Sequence, residues 1–233
     1  MNNIAIIPAR GGSKRIHRKN IKDFLGKPII LYSINSALNS NLFDRVIVST
    51  DDEEIATIAR DNGAEVPFLR SKKNSSDYAT TAEVIEEVIL ELKKSSDDKI
   101  SHVCSIYPTA PFVNSELLKQ SYNKFISHNG ESLFPVCRFG FPPQRALVEN
   151  DDLVTMLDTE NLNKRSQDFE MLYHDVGQFY WIAAESFLKQ KKMYLNKSIF
   201  FEVDELHSQD IDNLMDWKLA ELKFQLLKHE NLI

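Results

Sequence analysis

Ile4-Ala-Ile-Ile-Pro-Ala-Arg-Gly-Gly-Ser-Lys14 places a short continuous apolar run directly before a proline, a glycine pair and two cations. Four apolar residues without alternation read as a strand buried on both faces, the habit of strands in a parallel sheet. The glycine pair then falls at the carboxyl end of that strand, where open parallel sheets bind their ligands. Paired glycines let successive backbone N–H groups converge on an anion, and Arg10 and Lys14 add charge. The loop therefore reads as a phosphate holder, although a Gly-Gly pair taken alone is usually just a turn. It matches neither the Walker pattern G-x-x-x-x-G-K-[ST] nor G-x-G-x-x-G.

Working outward, helix spacing follows over Ile29 to Leu38, a second strand over Arg45 to Ser49, and a helix over Asp51 to Asn62 with acids in its first turn and Gly63 at its end. Thr80-Thr-Ala-Glu83 fits a capping box, and Val84, Ile85, Val88, Ile89 and Leu92 make one apolar stripe behind it. His102 to Tyr107 reads as a strand, Ser115 to Ser127 as a helix, and Gly177 to Ala183 and Ser198 to Val203 as later strands. Leu214, Trp217, Ala220, Phe224 and Leu227 recur at steps of three and four, which predicts a packing stripe on a terminal helix from about Leu214 to His229. Strands alternating with helices predict an α/β fold with a mainly parallel sheet and helices on both faces. The pattern weakens over residues 138–175, where Phe139-Gly-Phe-Pro-Pro143 breaks it and Asn150 to Asp168 has no sustained period. This stretch reads as an insertion, of the kind a hairpin arm makes, within one domain spanning residues 1–233.

The 233 residues are 42% hydrophobic and 27% charged, with a net charge of -6. That composition excludes collagen-like and disordered chains. No run reaches the roughly 18 to 20 apolar residues of a membrane span, and the opening residues lack the order of a signal peptide, so a cytoplasmic protein with no membrane role is expected. Cys104 and Cys137 are not spaced for zinc or a disulfide framework and read as buried free thiols. Charge is unevenly placed. Residues 10–27 hold seven cations and one acid, a net +6, so the remainder carries -12. The acidic remainder would repel a polyanion, so a small phosphorylated ligand is expected and a nucleic acid is not.

These residues are familiar. Ile6-Ile-Pro-Ala-Arg-Gly-Gly-Ser-Lys14, then Lys19-Asn20, Gly26-Lys-Pro-Ile29, Val48-Ser-Thr-Asp-Asp-Glu-Glu-Ile55, Tyr107-Pro-Thr-Ala-Pro111 and Asp210-Ile-Asp212 resemble, in order, the cytidylyltransferases that activate nonulosonic acids, the family of CMP-sialic acid synthetase. The resemblance spans most of the chain. It implies a Rossmann-like nucleotidyltransferase fold and a reaction joining CTP to a nine-carbon 2-keto-3-deoxy sugar acid, with release of pyrophosphate. Ser13-Lys-Arg-Ile16, Arg18-Lys-Asn-Ile21 and Gly177-Gln-Phe-Tyr-Trp181 look most like the branch acting on pseudaminic acid. Sialic acid synthetases usually carry glutamine at the position of Tyr107 and Leu-Arg at Phe112-Val113. Aromatic and aliphatic residues there would suit a sugar with a methyl terminus. The same chemistry on sialic, legionaminic or 3-deoxy-octulosonic acid is the alternative, and a non-catalytic nucleotide-binding protein is the rival of another class.

The resemblance also distributes roles. Arg10, Lys14 and Lys19 would neutralise the triphosphate and the leaving pyrophosphate, since such transfers need positioning and charge neutralisation above all. Ala9, Gly11, Gly12, Ser13, Asn20, the pair Thr80 and Thr81, Tyr107 and Thr109 would border the nucleotide, although Thr80 reads equally as a helix cap. Arg15, Arg18 and Lys22 read as solvated charge. Asp210 and Asp212 fall on one side of an extended chain and would hold Mg2+, a hard cation that takes carboxylate oxygens. Read alone, Asp212 could instead cap the terminal helix, and Asp51 and Asp52 read as helix-start acids. Gln144, Arg165 and Gln178 would meet the sugar acid, with surface ion pairing the alternative for Arg165. Residues 138–175 would pair subunits into a homodimer.

Overall fold

In the computed structural model, which describes residues 2–95, 99–230 and 232, the opening apolar run lies inside a seven-stranded sheet. The chain runs through β1 (Asn2–Pro8), a hairpin of β2 (Asp23–Phe24) and β3 (Lys27–Pro28), α1 (Ile30–Ser40), β4 (Arg45–Ser49), α2 (Glu53–Asp61), α3 (Thr81–Ser95), β5 (Ile100–Ile106), α4 (Ser115–Ser127) and β6 (Ser132–Arg138). It continues through a second hairpin of β7 (Leu147–Asn150) and β8 (Leu153–Met156), then β9 (Tyr173–Asp175), β10 (Phe179–Ala183), α5 (Ala184–Gln190), β11 (Ser198–Glu202) and α6 (Leu214–His229). Strand order is β11-β6-β10-β5-β1-β4, with β9 beside the end of β6.

The sheet is mainly parallel, as its sequence pattern predicts. β1 runs parallel to β4 and β5, and β6 parallel to β11, while β10 runs antiparallel between β5 and β6. Ile4 and Ile6 point to one face, with Ile85, Val88 and Ile89 of α3 and Phe187 of α5. Ala5 and Ile7 point to the other, with α1, α2 and α4. All four are at most 1% exposed. Burying each isoleucine contributes about 1.5–3 kcal/mol, which explains why this run tolerates no polar alternation.

Local signals act as expected at most boundaries. Asp52 caps α2 by accepting from the N–H groups of Glu54 and Ile55, both at 3.0 Å. Gly63 takes φ of +85° just past the helix end, a conformation a side chain resists. The terminal helix is capped by Asn213, not Asp212, through a reciprocal box with Asp216. Its predicted stripe holds at Trp217, Ala220 and Leu227, which are buried, whereas Leu214 is exposed. Cys104 and Cys137 are free and buried. No helix among the described residues is long and apolar enough to cross a membrane.

β6 and α5 are absent from the sequence expectations. Pro135 hides β6, because proline lacks the N–H that an interior strand donates. It falls where the neighbouring ladder is broken: pairing to β10 ends at Leu133, and pairing to β9 begins at Val136. The chain between β9 and β10 bends at Gly177, φ +60°, fixed by its N–H donating to Asp175 Oδ1 at 2.8 Å.

A third apolar cluster positions the site. Ile16 from the basic loop, Phe24 from the first hairpin, Ile211 and Trp217 pack together and are at most 3% exposed. Phe24 meets Tyr32, Trp217 and Phe224 edge-on at 5.4–5.7 Å. Such pairs add about 0.5–1.5 kcal/mol each beyond area burial. The cluster therefore holds the basic loop against the segment carrying Asp210 and Asp212, nearly two hundred residues away in sequence.

Candidate active site

The loop after β1 is pinned before it meets any ligand. Ala9 is fully buried and its N–H donates to the carbonyl of Ser49 at 2.9 Å. The Gly11 N–H donates to Asp51 Oδ1 at 2.9 Å, and a Cβ on Gly11 would stand 2.6 Å from Asp52 Oδ2, so close approach to α2 demands glycine here. Asn20 is buried and its Nδ2 donates to the carbonyl of Arg10 at 2.9 Å. Arg18, in the left-handed conformation at φ 52°, extends its guanidinium to Asp52 and Glu54. Two helix-start acids thus anchor the loop. The Arg18 guanidinium is the main cause holding the Asp52 carboxyl below the usual range.

This frame aims Arg10, Ser13, Lys14, Arg15, Lys19 and Asn20 into a cleft of about 450 Å3 at the carboxyl end of β1. Asp210 and Asp212 form the facing wall, with Ile211 between them turned into the core. Lys19 Nζ donates to the carbonyl of Ile211 at 2.7 Å, and Arg15 Nη1 lies 2.6 Å from Asp212 Oδ2. Burial pushes the Lys19 ammonium down, against the opposing pull of both aspartates. Burial also pushes the Asp210 carboxyl up, helped by the Asp212 charge and resisted by Lys19. Asp210 makes no ion pair among the described residues, so its oxygens are open to a cation. Two cleft-facing carboxylates form an all-oxygen donor set, and Mg2+ typically takes one or two carboxylates plus substrate phosphates. The donor set fits Mg2+.

A third wall comes from residues 70–81 and the end of β5. Arg70 is buried, its Nε donating to Ser49 Oγ at 3.0 Å, and burial pushes its guanidinium down to about 10. Asp77 receives Arg10 Nη1 at 2.9 Å and pairs with Lys14. Thr81 Oγ1 lies 3.4 Å from Tyr107 Oη, and Thr109 borders the same space. The backbone N–H of Tyr107 donates to the carbonyl of Gln178 at 2.8 Å, joining β5 to the bend before β10.

The cleft thus gathers Arg10, Ser13, Lys14, Lys19, Asn20, Tyr107, Thr109, Asp210 and Asp212 from the sequence expectations. Others lie elsewhere. Ala9, Gly11 and Gly12 do not border it: Ala9 is core, and the N–H of Gly11 is already given to Asp51. Thr80 caps α3 through reciprocal bonds with Glu83, and its neighbour Thr81 faces the cleft instead. Gln178 is 1% exposed and its Nε2 donates to the carbonyl of His207. Gln144 Nε2 donates to the carbonyl of Glu170 at 2.7 Å, and Arg165 pairs with Asp168 at 2.9 Å, both within residues 138–175. Phe112 and Val113, expected on the sugar side, are buried in the core. Arg15 and Arg18 are ion-paired instead of simply solvated, and Lys22 lies over the ring of Trp217.

Sequence reasoning missed Arg70 and Asp77, whereas Thr81, expected at the nucleotide with Thr80, does border the cleft. Arg70 follows Leu69 with no motif around it, and Asp77 sits in the polar run Ser71 to Asp77. A smaller depression of about 250 Å3, lined by Arg138, His174 and Lys223, shares Asp210 with the cleft. Asp210 thus borders both the cleft and a depression at the base of residues 138–175.

Residues 4–227 match the sequence profile of the family described as Cytidylyltransferase. The chain is 44% identical over 232 residues to the pseudaminic acid cytidylyltransferase of Campylobacter jejuni, covering 99% of each. It is 32% identical over 244 residues to the CMP-N,N'-diacetyllegionaminic acid synthase of Legionella pneumophila, covering all of both. The solved structure of a CMP:2-keto-3-deoxy-manno-octonic acid synthetase complexed with CTP has the same fold, with TM-score 0.69 and 16% identity over 98% of this chain and all of that one.

Proposed function

This chain belongs to the cytidylyltransferase family, and from that premise we propose that it transfers CMP from CTP to pseudaminic acid, with Mg2+ held by Asp210 and Asp212. In the proposed reaction the anomeric hydroxyl oxygen of the sugar acid bonds to the α-phosphorus of CTP and gives up its proton to solvent. The bond from that phosphorus to the β-phosphate bridge breaks, and pyrophosphate leaves with the electron pair. The observation that carries this reading is the cleft itself: Arg10, Lys14 and Lys19 on one wall face two carboxylates on the other.

Each group has a role in charge management. Arg10 and Lys14 meet the β- and γ-phosphates, where negative charge develops as pyrophosphate departs. Lys19, half-buried and tied to Ile211, carries a fixed positive charge between the phosphates and the aspartates. Mg2+, when bound, would neutralise phosphate charge and polarise an oxygen beside Asp210 and Asp212. Tyr107 and Thr81 border the same cleft, and Asn20 holds the Arg10 carbonyl and thereby the loop.

Pseudaminic acid is favoured as acceptor by the full-length likeness to relatives named for it. The depression beside Asp210 offers it Arg138 and Lys223, and an arginine suits a carboxylate through paired hydrogen bonds. Residues 138–175 are proposed to pair two subunits. Support comes from their exposed apolar side chains, among them Phe141 at 90% and Leu153 at 71% exposure. Two unpaired thiols agree with a reducing, cytoplasmic setting. The test is product identity: CTP, pseudaminic acid and Mg2+ should yield CMP-sugar and pyrophosphate in equal amounts. Binding of CTP with no turnover would mark a nucleotide-binding protein instead.

A further inference from the structure

The two cations assigned to the outer phosphates already hold an anion from their own chain. Arg10 Nη1 donates to Asp77 Oδ1 at 2.9 Å and to the carbonyl of Ser76 at 3.2 Å, and Lys14 pairs with the other oxygen of the same carboxylate. One carboxylate therefore bridges both cations with its two oxygens, as two oxygens of a phosphate would. The fold gives Asp77 no other work. Among the described residues its carboxylate accepts no further hydrogen bond, α3 is capped by Thr80 and Glu83, and the turn before it is closed by Ser75 donating to Ser71. The neighbouring Tyr78 is 93% exposed, so this stretch is not packed down onto the molecule.

Both ion pairs are themselves exposed, and exposed pairs are weak and easily exchanged. A triphosphate or pyrophosphate carries several charges and outcompetes a single carboxylate for the same two cations. We infer that Asp77 is a positioning residue that stands in for phosphate. It keeps Arg10 and Lys14 turned into the cleft before nucleotide binds, yields them to the triphosphate, and reclaims them as pyrophosphate leaves. The inference rests on the assignment of Arg10 and Lys14 to the triphosphate. Its consequence is a deliberate loss of phosphate affinity in exchange for product release.

Asp77→Asn keeps the shape and removes the charge. Pyrophosphate and CTP should bind this variant about three- to tenfold more tightly than wild type by calorimetry in Mg2+, because two exposed ion pairs no longer compete. Product inhibition by pyrophosphate should strengthen by the same factor, KM for CTP should fall while kcat does not rise, and the gain should shrink at high salt. Asp77→Glu, which restores the charge, should return affinity toward wild type. Unchanged or weaker pyrophosphate binding in an Asp77→Asn protein that melts like wild type overturns the inference, as does an Asp77→Glu variant that binds like Asp77→Asn. Asp77→Ser gives the same readout should the asparagine variant fold poorly. If wild type binds neither CTP nor pyrophosphate, the phosphate assignment and the role of Asp77 fall together. If Arg10→Ala weakens binding while Asp77→Asn leaves it unchanged, the role of Asp77 alone falls.

Discussion

The cleft and residues 138–175 are built in opposite ways. In the cleft, residues 8–20, 70–81, 107–109 and 210–212 converge from across the chain, and several polar groups are held by partners far away in sequence, as Lys19 is by Ile211 and Gly11 by Asp51. Residues 138–175 are held together largely by near neighbours: β7 pairs with β8, Arg165 with Asp168, and Asn161 with Asp158. Apolar side chains there face outward instead of a core. Phe141, Leu147, Leu153, Leu157 and Leu162 are all exposed. A site fixed by long-range contacts is built by the fold of the chain itself, whereas a segment with local contacts and exposed apolar side chains offers a surface for the proposed pairing. The proposed division follows: one chain assembles the nucleotide chemistry, and pairing of two chains finishes the acceptor side.

Substitutions can break that division, and the largest effect should come from the wall of the cleft that no cation can replace. Asp212→Asn should lower kcat by about a thousandfold or more, since it weakens an oxygen ligand and frees Arg15. The fold should survive, because Asn213 and not Asp212 caps α6. Full wild-type activity in excess chelator would remove the metal from the account. Arg10→Ala comes next, with a loss of about 100- to 1000-fold in kcat at an unchanged melting temperature, the usual cost of removing a donor from developing charge.

Residues 138–175 should respond differently. Leu153→Asp, at an exposed position, should leave the melting of the domain and CTP affinity alone while converting the proposed dimer to a monomer by light scattering. The specificity constant for the sugar acid should fall by about tenfold, the scale of one interface anchor. A monomeric variant with full activity would detach pairing from catalysis.

The smallest effect belongs to the frame around the loop. Asp52→Ala should cost about 1 kcal/mol of stability as a lost helix cap, measured by denaturant unfolding. Arg18 and the two backbone N–H groups hold the Asp52 carboxyl lower in the folded chain than in the unfolded one. The stabilisation is therefore complete above the unfolded value of about 3.9 and is lost as pH falls through the lower folded value. The gap between wild type and Asp52→Ala should close at that acid end and stay constant above it.

What the sequence disclosed follows the same line between near and far. Ile4-Ala-Ile-Ile7 announced a buried parallel strand because its burial is dictated by the run itself. Lys19 and the two aspartates were named through the family resemblance, whereas Arg10 and Lys14 were legible because cations after a glycine pair carry their chemistry in local pattern. Arg70 and Asp77 were not, because their meaning arises only when the 70–81 segment folds across the cleft. Thr80 misled because its chemistry suits a cap and a ligand alike, and helix geometry gave it to the cap. Phe112 and Val113 misled in another way: their apolar character was read as a sugar pocket when it was core. β6 stayed hidden behind Pro135, whose missing N–H is tolerated beside the break between β9 and β10.

Initial rates of pyrophosphate release from CTP, measured with pseudaminic, legionaminic, sialic and 3-deoxy-octulosonic acids under one Mg2+ concentration, test the central claim most directly. The highest kcat/KM should belong to pseudaminic acid, the acid for which the full-length relatives are named, with sialic acid used more weakly. A higher kcat/KM for sialic acid would contradict the acceptor assigned here, and release with none of the four acids would contradict the reaction itself.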